Sequence, residues 1–324
     1  MKLLNVSGSP HVHSDESTKK IMWRVNLALI PALLVGIAYF GLNALVIAAV
    51  SVACCCLFQW LIEKFIMKTP STICDGSAVV TGLLLAFNVP ATREMMWIVA
   101  IGALVAIGVG KMSFGGLGKN PFNPALVGRV FLLISFPVQM TKWPTPQLFG
   151  FESIPTTDAT TGATILSLFN EGKLTGVSYM DLLIGHIGGS WGEVSAIAIL
   201  LGAAFLLWKK VISWHIPVAF VGTAFVFSAI LWLCGTPEHP FMDPLTTILS
   251  GGIMLGACFM ATDMVTSPMA KSGQLIFGVG CGLLTIIIRN WGAYPEGVSF
   301  AILIMNCFVP LINKLFHQKK YGRK

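Results

Sequence analysis

Long apolar segments, separated by short polar stretches, recur along almost the entire chain. Each is long enough to cross the roughly 30 Å of hydrocarbon in a bilayer as an α-helix. The series of short alternating segments that is typical of a membrane β-barrel does not occur. The pattern predicts ten helices, near residues 22–40, 42–62, 76–90, 95–111, 122–139, 179–208, 211–234, 244–262, 272–290 and 296–316. The expected fold class is therefore an all-α polytopic membrane protein with about ten transmembrane helices.

The sixth of these segments, near 179–208, is longer than one simple crossing requires. Glycines cluster in its first half, at Gly185, Gly188, Gly189 and Gly192. Glycine weakens the interior of a helix. We therefore expect either a broken helix or a short helix that precedes the true crossing.

The composition supports a membrane location. Hydrophobic residues make up 55% of the chain, charged residues make up 11%, and the mean hydropathy is +0.79, far from the balance of a soluble domain. The first twenty residues are polar and lack the apolar core of a signal peptide, so we expect no cleaved leader. The predicted organisation is a cytoplasmic arm at 1–20, a single transmembrane domain at 21–316 and a basic tail at 317–324.

Lysine and arginine residues collect at alternate ends of the predicted helices. Short cytoplasmic loops carry an excess of these residues, and ten helices would place on one side Lys19, Lys20, Arg24, Lys64, Lys68, Lys111, Lys119, Lys209, Lys210 and the C-terminal tail. We therefore expect both termini to be cytoplasmic and the polar interval 140–178 to face outward. The formal net charge of +7 is then a consequence of topology, and we expect no nucleic-acid partner.

A faint internal repeat relates the two halves of the chain. Gly82 and Pro121 correspond to Gly256 and Pro295, with an offset of 174 residues in both cases. Each half also has a polar break in an apolar segment, at 87–90 and at 261–263. Paired broken helices are typical of folds that build a site near the bilayer midplane, which fits a transporter as well as a redox carrier. Chance alignment of glycine and proline is the alternative.

Among the charged residues inside or beside predicted membrane helices, four are candidates for a functional role, namely Asp75, Arg129, Asp263 and Arg289. A charge that faces lipid is costly, so each of them needs a partner or water. Asp75 and Asp263 are candidates for an ion path. The alternative is that both carboxylates cap helices and that both arginines extend to the membrane surface.

A glycine-rich polar loop occupies residues 115–124. Its glycines permit close approach of the backbone, while Lys119, Asn120, Asn123 and the following Arg129 offer hydrogen bonds suited to a carbonyl-rich ring or a phosphate. These four residues are the candidate cofactor contacts. Re-entrant turns of membrane proteins use the same residue types, so a structural role is the alternative.

The eight cysteines do not form a C-x-x-C pair of the kind that binds zinc or an iron–sulfur cluster. We interpret them as small buried hydrophobic residues. A cluster shared with another subunit is the alternative. The sequence predicts no catalytic residue and no metal site within this chain.

The sequence Asp-Ala-Thr-Thr-Gly-Ala-Thr occupies residues 158–164, in the only long polar interval of the chain. Taken by itself it predicts the start of a helix before Ile165, with Asp158 or Thr160 as the N-cap. The same seven residues also match a signal for covalent attachment of a flavin.

Five segments together make the chain similar to the RnfD family, the D subunits of the ion-translocating Rnf electron-transport complex. They are residues 75–82, the loop 114–124 with 128–129, the motif 158–164, and residues 259–268 and 289–300. The resemblance covers nearly the whole chain. The NqrB protein of the sodium-pumping NADH:quinone reductase is a close relative with an extended N-terminal segment, so the short polar arm favours the Rnf family. The resemblance implies two pseudo-symmetric broken-helix repeats, similar to those of urea transporters.

The resemblance also implies specific cofactors. FMN would be attached to Thr164 through a phosphoester, and Asp158, Thr161, Gly162 and Ala163 fill the matching positions of the family's attachment motif. A separate flavin transferase that uses FAD would form this bond, so Thr164 is its substrate and not a catalytic nucleophile. A second, noncovalent flavin, riboflavin, is implied inside the membrane domain.

Family membership would make the chain one subunit of an ion-translocating oxidoreductase in the bacterial inner membrane. The complex would exchange electrons between reduced ferredoxin and NAD and move Na⁺ or H⁺. The implied partners are the other Rnf subunits, RnfA, RnfB, RnfC, RnfE and RnfG. The chain has no ferredoxin-type cysteine set and no dinucleotide fingerprint, so it would not turn over alone. The competing class is a solute channel or transporter of the urea-transporter kind.

Overall fold

The helices of the chain are interrupted more often than ten simple crossings would require. The computed structural model describes residues 16–146, 164–170, 178–185, 188–235, 241–292 and 296–316, where its regular elements are helical. The α-helices are α1 (Thr18–Leu61), α2 (Ser77–Phe87), α3 (Met95–Gly108), α4 (Pro124–Ser135), α5 (Pro137–Met140), α6 (Ile165–Asn170), α7 (Tyr179–Ile184), α8 (Ala196–Trp208), α9 (His215–Cys234), α10 (Pro244–Leu249), α11 (Ile253–Leu255), α12 (Lys271–Trp291) and α13 (Val298–Leu315). Two π-helical segments, Ile62–Met67 and Gly256–Met260, extend α1 and α11.

Most of the arm 1–20, most of the interval 140–178 and the tail 317–324 lie outside the described residues. The division of the chain into arm, membrane domain, outward loop and tail therefore stays a prediction.

Five helical stretches are long and apolar enough to cross a membrane. They are Thr18–Met67, Met95–Phe114, His215–Cys234, Lys271–Trp291 and Val298–Leu315. Three further apolar helices, α2, α4 and α8, are shorter than a full crossing. The chain is therefore an all-helical protein with several apolar helices suited to a membrane, and the described residues do not establish ten separate crossings.

The predicted boundary between the first two helices is found at Gly41. The helix α1 runs without interruption by a loop, but Gly41 has φ 66° and ψ −154°, which is not helical. Only glycine adopts such a backbone readily. The single residue therefore divides α1 into two apolar arms at the position that the sequence predicts.

The short helix α2 lies inside the bundle and not at its surface. Nine of its eleven residues are buried, and a helix that is apolar on all sides belongs in a core. The hydroxyl of Ser51 on α1 donates to the Gly82 carbonyl at 2.7 Å. A methyl group at Gly82 would lie 2.7 Å from the Cα of Val52, so α1 and α2 pack with their backbones in near contact.

The helices of the two halves pack against one another in the same pattern. In the first half α3 packs against α1 and α4, and α2 packs against α1. In the second half α12 packs against α9 and α13, and α10 packs against α9. This correspondence agrees with the expected repeat but does not establish the pseudo-symmetry, which stays a prediction.

The segment near 179–208 is broken, as its glycines predict. The helix α7 ends at Gly185, which has φ 110°, and α8 begins at Ala196 with the Ser195 hydroxyl accepting from the Ala198 amide. Between them, residues 188–195 form what we call the re-entrant segment.

The re-entrant segment enters the bundle at the end of α2. The Gly192 amide donates to the Phe87 carbonyl at 3.3 Å, and a methyl group at Gly192 would collide with Phe87. Trp191 is 1% exposed and packs edge-on against the Phe87 ring, with centroids 4.8 Å apart. A methyl group at Gly36 on α1 would meet the Trp191 ring. The segment is therefore held by contacts from α1 and α2.

Close packing of α8 on α1 gives a test of this arrangement. A methyl group at Gly202 would lie 2.8 Å from Cζ of Phe259 and closer still to the Ala28 carbonyl oxygen. We expect Gly202→Ala to destabilise the protein by about 1–3 kcal/mol through overpacking, seen as a lower midpoint of thermal unfolding in detergent. The control is Gly222→Ala on α9, where nothing lies within 4 Å. Equal midpoints for both variants would contradict this packing.

Candidate functional site

Two cavities lie near opposite ends of α8. The first, which we call the Asn123 cavity, encloses about 720 Å³ including its open mouth, and its polar lining is Ser77, Thr81, Lys111, Asn120, Asn123, Thr262 and Asp263. The second, the Thr164 cavity, encloses about 410 Å³ including its mouth, and its lining includes Thr164, Gly189, Ser190, Glu193, Gly251 and Glu296. The helix α8 has 13 residues, so the cavities are separated by about 20 Å along its axis.

Asn123 ties the glycine-rich loop to the second half of the chain. It is the N-cap of α4, and its Oδ1 accepts from the amides of Ala125 and Leu126 at 3.1 and 3.4 Å. Its Nδ2 donates to the Met260 carbonyl at 3.2 Å. Hydrogen bonds to both the oxygen and the nitrogen of its side-chain amide therefore fix Asn123 at the wall of the Asn123 cavity.

The neighbouring Asn120 keeps an acceptor available. Its Nδ2 donates to the Phe122 carbonyl at 3.0 Å, while its Oδ1 is buried and accepts no hydrogen bond from a described residue. Such an orphan acceptor on a cavity wall is suited to an N–H or O–H group of a ligand.

Lys119 does not join the two asparagines. It is exposed and its side chain runs over Gly115. Gly115, Gly116 and Gly118 have φ values of 102°, 93° and 91°, a region that residues with a Cβ rarely adopt. The glycines thus form the turn that presents Asn120 and Asn123 while it directs Lys119 away from the cavity.

Lys111 is a site residue that the sequence does not reveal. Its side chain is 1% exposed, and its Nζ donates to Gln59 Oε1 at 2.8 Å and to Ser77 Oγ at 2.6 Å. Lys111 is not an exposed loop lysine, because its ammonium group points into the bundle, while the side of the membrane on which it lies stays a prediction. The one available signal is that Lys111 directly follows an apolar run, which also fits a loop.

A chain of polar side chains surrounds Lys111. Gln59 Nε2 donates to Glu63 Oε1 at 2.9 Å, and Asp75 Oδ1 accepts from the amide and hydroxyl of Ser77 at 2.7 and 2.6 Å. Asp75 therefore stabilises the start of α2, in agreement with the capping alternative, and it also reaches Lys111 through Ser77. The carboxylates of Glu63 and Asp75 provide the negative charge that a buried ammonium needs.

Asp263 lies in the turn between the π-helical segment and α12. It is half-buried, and it accepts from the Thr266 hydroxyl at 3.2 Å and from the Val265 amide at 3.4 Å. These are the bonds of a local turn. Unlike Asp75, Asp263 itself lines the Asn123 cavity, so the structure leaves it free for a second role.

Thr164 stands at the start of α6 and on the wall of the second cavity. Its carbonyl accepts from the Leu168 amide at 2.9 Å, and its side chain is partly exposed. A helix therefore follows the motif, as the sequence predicts, but the expected N-caps Asp158 and Thr160 lie outside the described residues. The other four residues of the attachment motif, Asp158, Thr161, Gly162 and Ala163, lie outside the described residues.

Arg129 is buried beside Glu193 and Glu296, two residues that line the Thr164 cavity. Its side chain is 3% exposed, so the alternative that it extends to the membrane surface is wrong. The guanidinium group contacts Asn88 Oδ1 and Glu296 Oε2, and Nη1 lies 3.6 Å from Glu193 Oε1. One cation on α4 is therefore shared by three acceptors from three separate segments.

Arg289 on α12 is buried in the same region, 7% exposed, so it does not extend to the surface either. It donates from Nη1 to the Thr247 carbonyl at 2.7 Å, and from Nη2 to the Ser250 carbonyl at 3.1 Å and to the Gly251 carbonyl. These carbonyls belong to the C-terminal end of α10, where a positive charge is favourable.

The break between α10 and α11 is stabilised from both sides. Gly251 and Gly252 have φ values of 53° and 59°, which reverses the chain between the two short helices. The Glu193 carboxylate is packed against Gly252, where a methyl group would lie 2.9 Å from Oε1. Glu193 thus lies at the N-terminal end of α11 and Arg289 at the C-terminal end of α10, each with the sign that the helix end favours.

The structure brings Asn120, Asn123 and Asp263 together in one cavity and places Thr164 on the wall of the other, where Arg129 contacts the lining residues Glu193 and Glu296. The helix α4 links them, because Arg129 follows Asn123 by about 9 Å along the helix axis. Sequence patterns do not point to Asn88, Glu193 or Glu296. Their partners are remote in sequence, and an acidic residue beside a glycine-rich loop normally indicates only solvent exposure.

Comparison with known proteins gives one consistent result. The family model described as the NQR2, RnfD, RnfE family matches residues 5–322. A protein of Acetobacterium woodii, named as the D subunit of a Na(+)-translocating ferredoxin:NAD(+) oxidoreductase complex, is 44% identical over 98% of this chain and 95% of its own length. A protein of Clostridium ljungdahlii, named as the proton-translocating counterpart, is 42% identical over 99% and 97%. A protein of Stutzerimonas stutzeri, named as the D subunit of an ion-translocating oxidoreductase complex, is 39% identical over 95% and 93%.

Arg129 is shared by two carboxylates, so replacing it should change the stability of the protein in a way that a second substitution partly reverses. Arg129→Met would leave the carboxylates of Glu296 and Glu193 without their cation, and removing one partner of a buried ion pair costs about 3–5 kcal/mol. The double variant Arg129→Met/Glu296→Met should regain part of this loss, because replacing a buried pair by apolar side chains can be close to neutral. The measurement is the thermal unfolding midpoint in detergent. A double variant no more stable than the single one would contradict the pairing.

Proposed function

This chain belongs to the NQR2, RnfD, RnfE family, and from this we propose that it is the RnfD component of an ion-translocating ferredoxin:NAD⁺ oxidoreductase complex. The observation that carries the proposal is that relatives at 42–44% identity, aligned over at least 98% of this chain, are both named as the D subunit of such a complex. The chain would act as one link of an electron relay within the assembly and would not turn over alone.

We propose FMN as the group held at Thr164, through a phosphoester to its hydroxyl. The residues present fit such a group: Thr164 lines a small cavity with an open mouth, so a group attached to its hydroxyl would extend outward through that mouth. Part of its wall is built from small residues, Gly188, Gly189 and Ser190, and the Ser190 hydroxyl is buried without a hydrogen-bond partner among the described residues. When bound, FMN supplies the electron-transfer chemistry.

The residues of this chain would set the field that FMN experiences. Arg129 and Arg289 bring two positive charges near the cavity, and Glu193 and Glu296 bring two negative ones. Fixed charges in a region that excludes water act over longer distances than in water. Asp158, Thr161, Gly162 and Ala163 would form the surface that a flavin transferase recognises during maturation, and the small size of the last two residues would allow a bulky donor to approach Thr164.

We propose the Asn123 cavity as the site of the noncovalent flavin, riboflavin. Its wall is mostly apolar and carries a few convergent polar groups, which is typical of small-molecule sites. Asn120 Oδ1 would accept from a ring N–H, and the Lys111 ammonium would provide positive charge at the same wall. Lys119 has no part in this site, and Arg129 acts at the other cavity.

The location, topology, partners and ion path are also proposed from the family membership. The chain would lie in the bacterial inner membrane with both termini in the cytoplasm, about ten helices and two urea-transporter-like repeats. Cavities near opposite ends of α8 support this orientation, since Thr164 belongs to the interval expected outside and Asn123 to a loop expected inside. RnfA, RnfB, RnfC, RnfE and RnfG would be the partners, and Asp75 and Asp263 the candidates for the path of Na⁺ or H⁺.

Covalent flavin attachment is the direct test. After coexpression with a flavin transferase, the denatured chain should fluoresce as a gel band under ultraviolet light, and its Thr164 peptide should gain the mass of FMN minus water. Thr164→Val should abolish the band because the hydroxyl that forms the phosphoester is missing, whereas Thr160→Val should keep it. An equally bright Thr164→Val band would refute the assignment, and a colourless purified wild-type chain would favour a solute channel.

Asp263 distinguishes an ion-path role from simple turn capping. A carboxylate that only caps a turn tolerates Asp263→Asn at a cost of about 1 kcal/mol or less. If the charge acts on an ion, the variant should lower ferredoxin:NAD⁺ activity and ion uptake by membrane vesicles severalfold at unchanged flavin content. The matched control is Asp243→Asn, because Asp243 caps α10 through Thr246 at 3.1 Å but lines neither cavity. Wild-type values for Asp263→Asn would reject the ion-path role.

A further inference from the structure

Glu193 is the more deeply buried of the two carboxylates that line the Thr164 cavity. Its side chain is 6% exposed, against 17% for Glu296. The Ser190 hydroxyl and the Gly252 amide lie nearby, but neither carboxylate oxygen of Glu193 accepts a well-formed hydrogen bond from a described residue. Buried carboxylates normally accept several hydrogen bonds. The ionised form of Glu193 is therefore weakly stabilised, although the group faces a cavity with an open mouth.

The charges around Glu193 are nearly balanced. Arg129 faces it from α4, Arg289 from α12 and Glu296 from the residues just before α13. Arg129 also contacts Asn88 and Glu296, while Arg289 is turned toward the carbonyls at the end of α10. Glu193 thus receives only a share of one cation, at 3.6 Å.

Two opposing effects act on the protonation of Glu193. Burial without well-formed hydrogen bonds favours the neutral acid, whereas the nearby guanidinium of Arg129 favours the carboxylate. A further negative charge in the cavity would shift the balance toward the acid, since like charges disfavour ionisation. A group held on Thr164 would bring such a charge to the same cavity.

We propose that Glu193 binds a proton when the negative charge in the Thr164 cavity increases and releases it when that charge decreases. When one electron from a one-electron carrier protein reaches the group on Thr164, Glu193 takes up one proton from cavity water. The only bond formed is the O–H of the carboxylic acid. When the electron leaves, the proton returns to water. This inference rests on the proposed function, because it requires a redox group at Thr164.

The test is the pH dependence of the potential of the covalent flavin, measured by spectroelectrochemistry in the assembled complex. One proton taken up per electron changes the oxidised-to-reduced ratio tenfold per pH unit at a fixed potential. We expect the wild type to show this additional dependence over the range in which Glu193 titrates. Glu193→Gln should lose it, because a neutral amide cannot take up the proton, and Glu193→Asp should retain it. An unchanged pH profile in Glu193→Gln would overturn the proposal.

Glu296→Gln is the matched control. It also removes a carboxylate beside Arg129 and lines the same cavity, but it leaves Glu193 in place. We expect it to keep the additional pH dependence, with its range moved to lower pH, because the loss of a nearby negative charge favours the Glu193 carboxylate. Loss of the dependence in Glu296→Gln together with its retention in Glu193→Gln would assign the proton to Glu296 and overturn the proposal.

Infrared difference spectroscopy gives an independent readout. Reduction of the wild-type complex should produce the carbonyl-stretch band of a protonated carboxylic acid, and this band should be missing in Glu193→Gln. A chain that never receives flavin would be recognised beforehand in the gel test, which is a failure of the proposed function only. In that case an infrared pH titration of the flavin-free chain decides whether Glu193 changes protonation, and a fixed state at all pH values would overturn the proposal.

Discussion

The burial of two guanidinium groups is the constraint on which the rest of the structure depends. Arg129 and Arg289 lie inside a bundle whose surroundings are apolar, where water does not replace a missing partner. Their acceptors must therefore be supplied by the chain itself. The end of α10, the re-entrant segment with Glu193, and Glu296 before α13 all converge on them. These elements also form the wall of the Thr164 cavity. The cavity therefore lies where the chain supplies partners for the two buried arginines.

Helix ends inside the bundle provide the polar groups that a membrane interior otherwise lacks. Irregular backbone at this depth is tolerated only where protein or a water-filled cavity satisfies it. Here the end of α2 is satisfied by the Gly192 amide, and the end of α10 by Arg289. The start of α4 is satisfied by Asn123, which also faces a cavity. Broken helices thus serve both to close the fold and to present polar groups to ligands.

The helices can be predicted because apolar run length and glycine position are local properties. The break at Gly41 and the break after Gly185 both follow from such local patterns. Lys111 and Glu193 cannot be assigned in this way, since their neighbours come from segments 30 to 60 residues away or more. A lysine after an apolar run has the same local pattern whether it faces water or turns inward. The role of Thr164 comes from resemblance, because the motif alone fits an ordinary helix start.

The shortness of α8 has an electrical consequence. Its 13 residues span about 20 Å, less than the roughly 30 Å of hydrocarbon in a bilayer. Water in the mouths of the two cavities would bring each aqueous phase closer to the other than the bilayer alone permits. Most of the transmembrane voltage would then fall between the Asn123 and Thr164 cavities. One elementary charge moved across the full drop gains or loses about 2.3 kcal/mol per 100 mV, so a step between the cavities would be directly sensitive to the membrane potential.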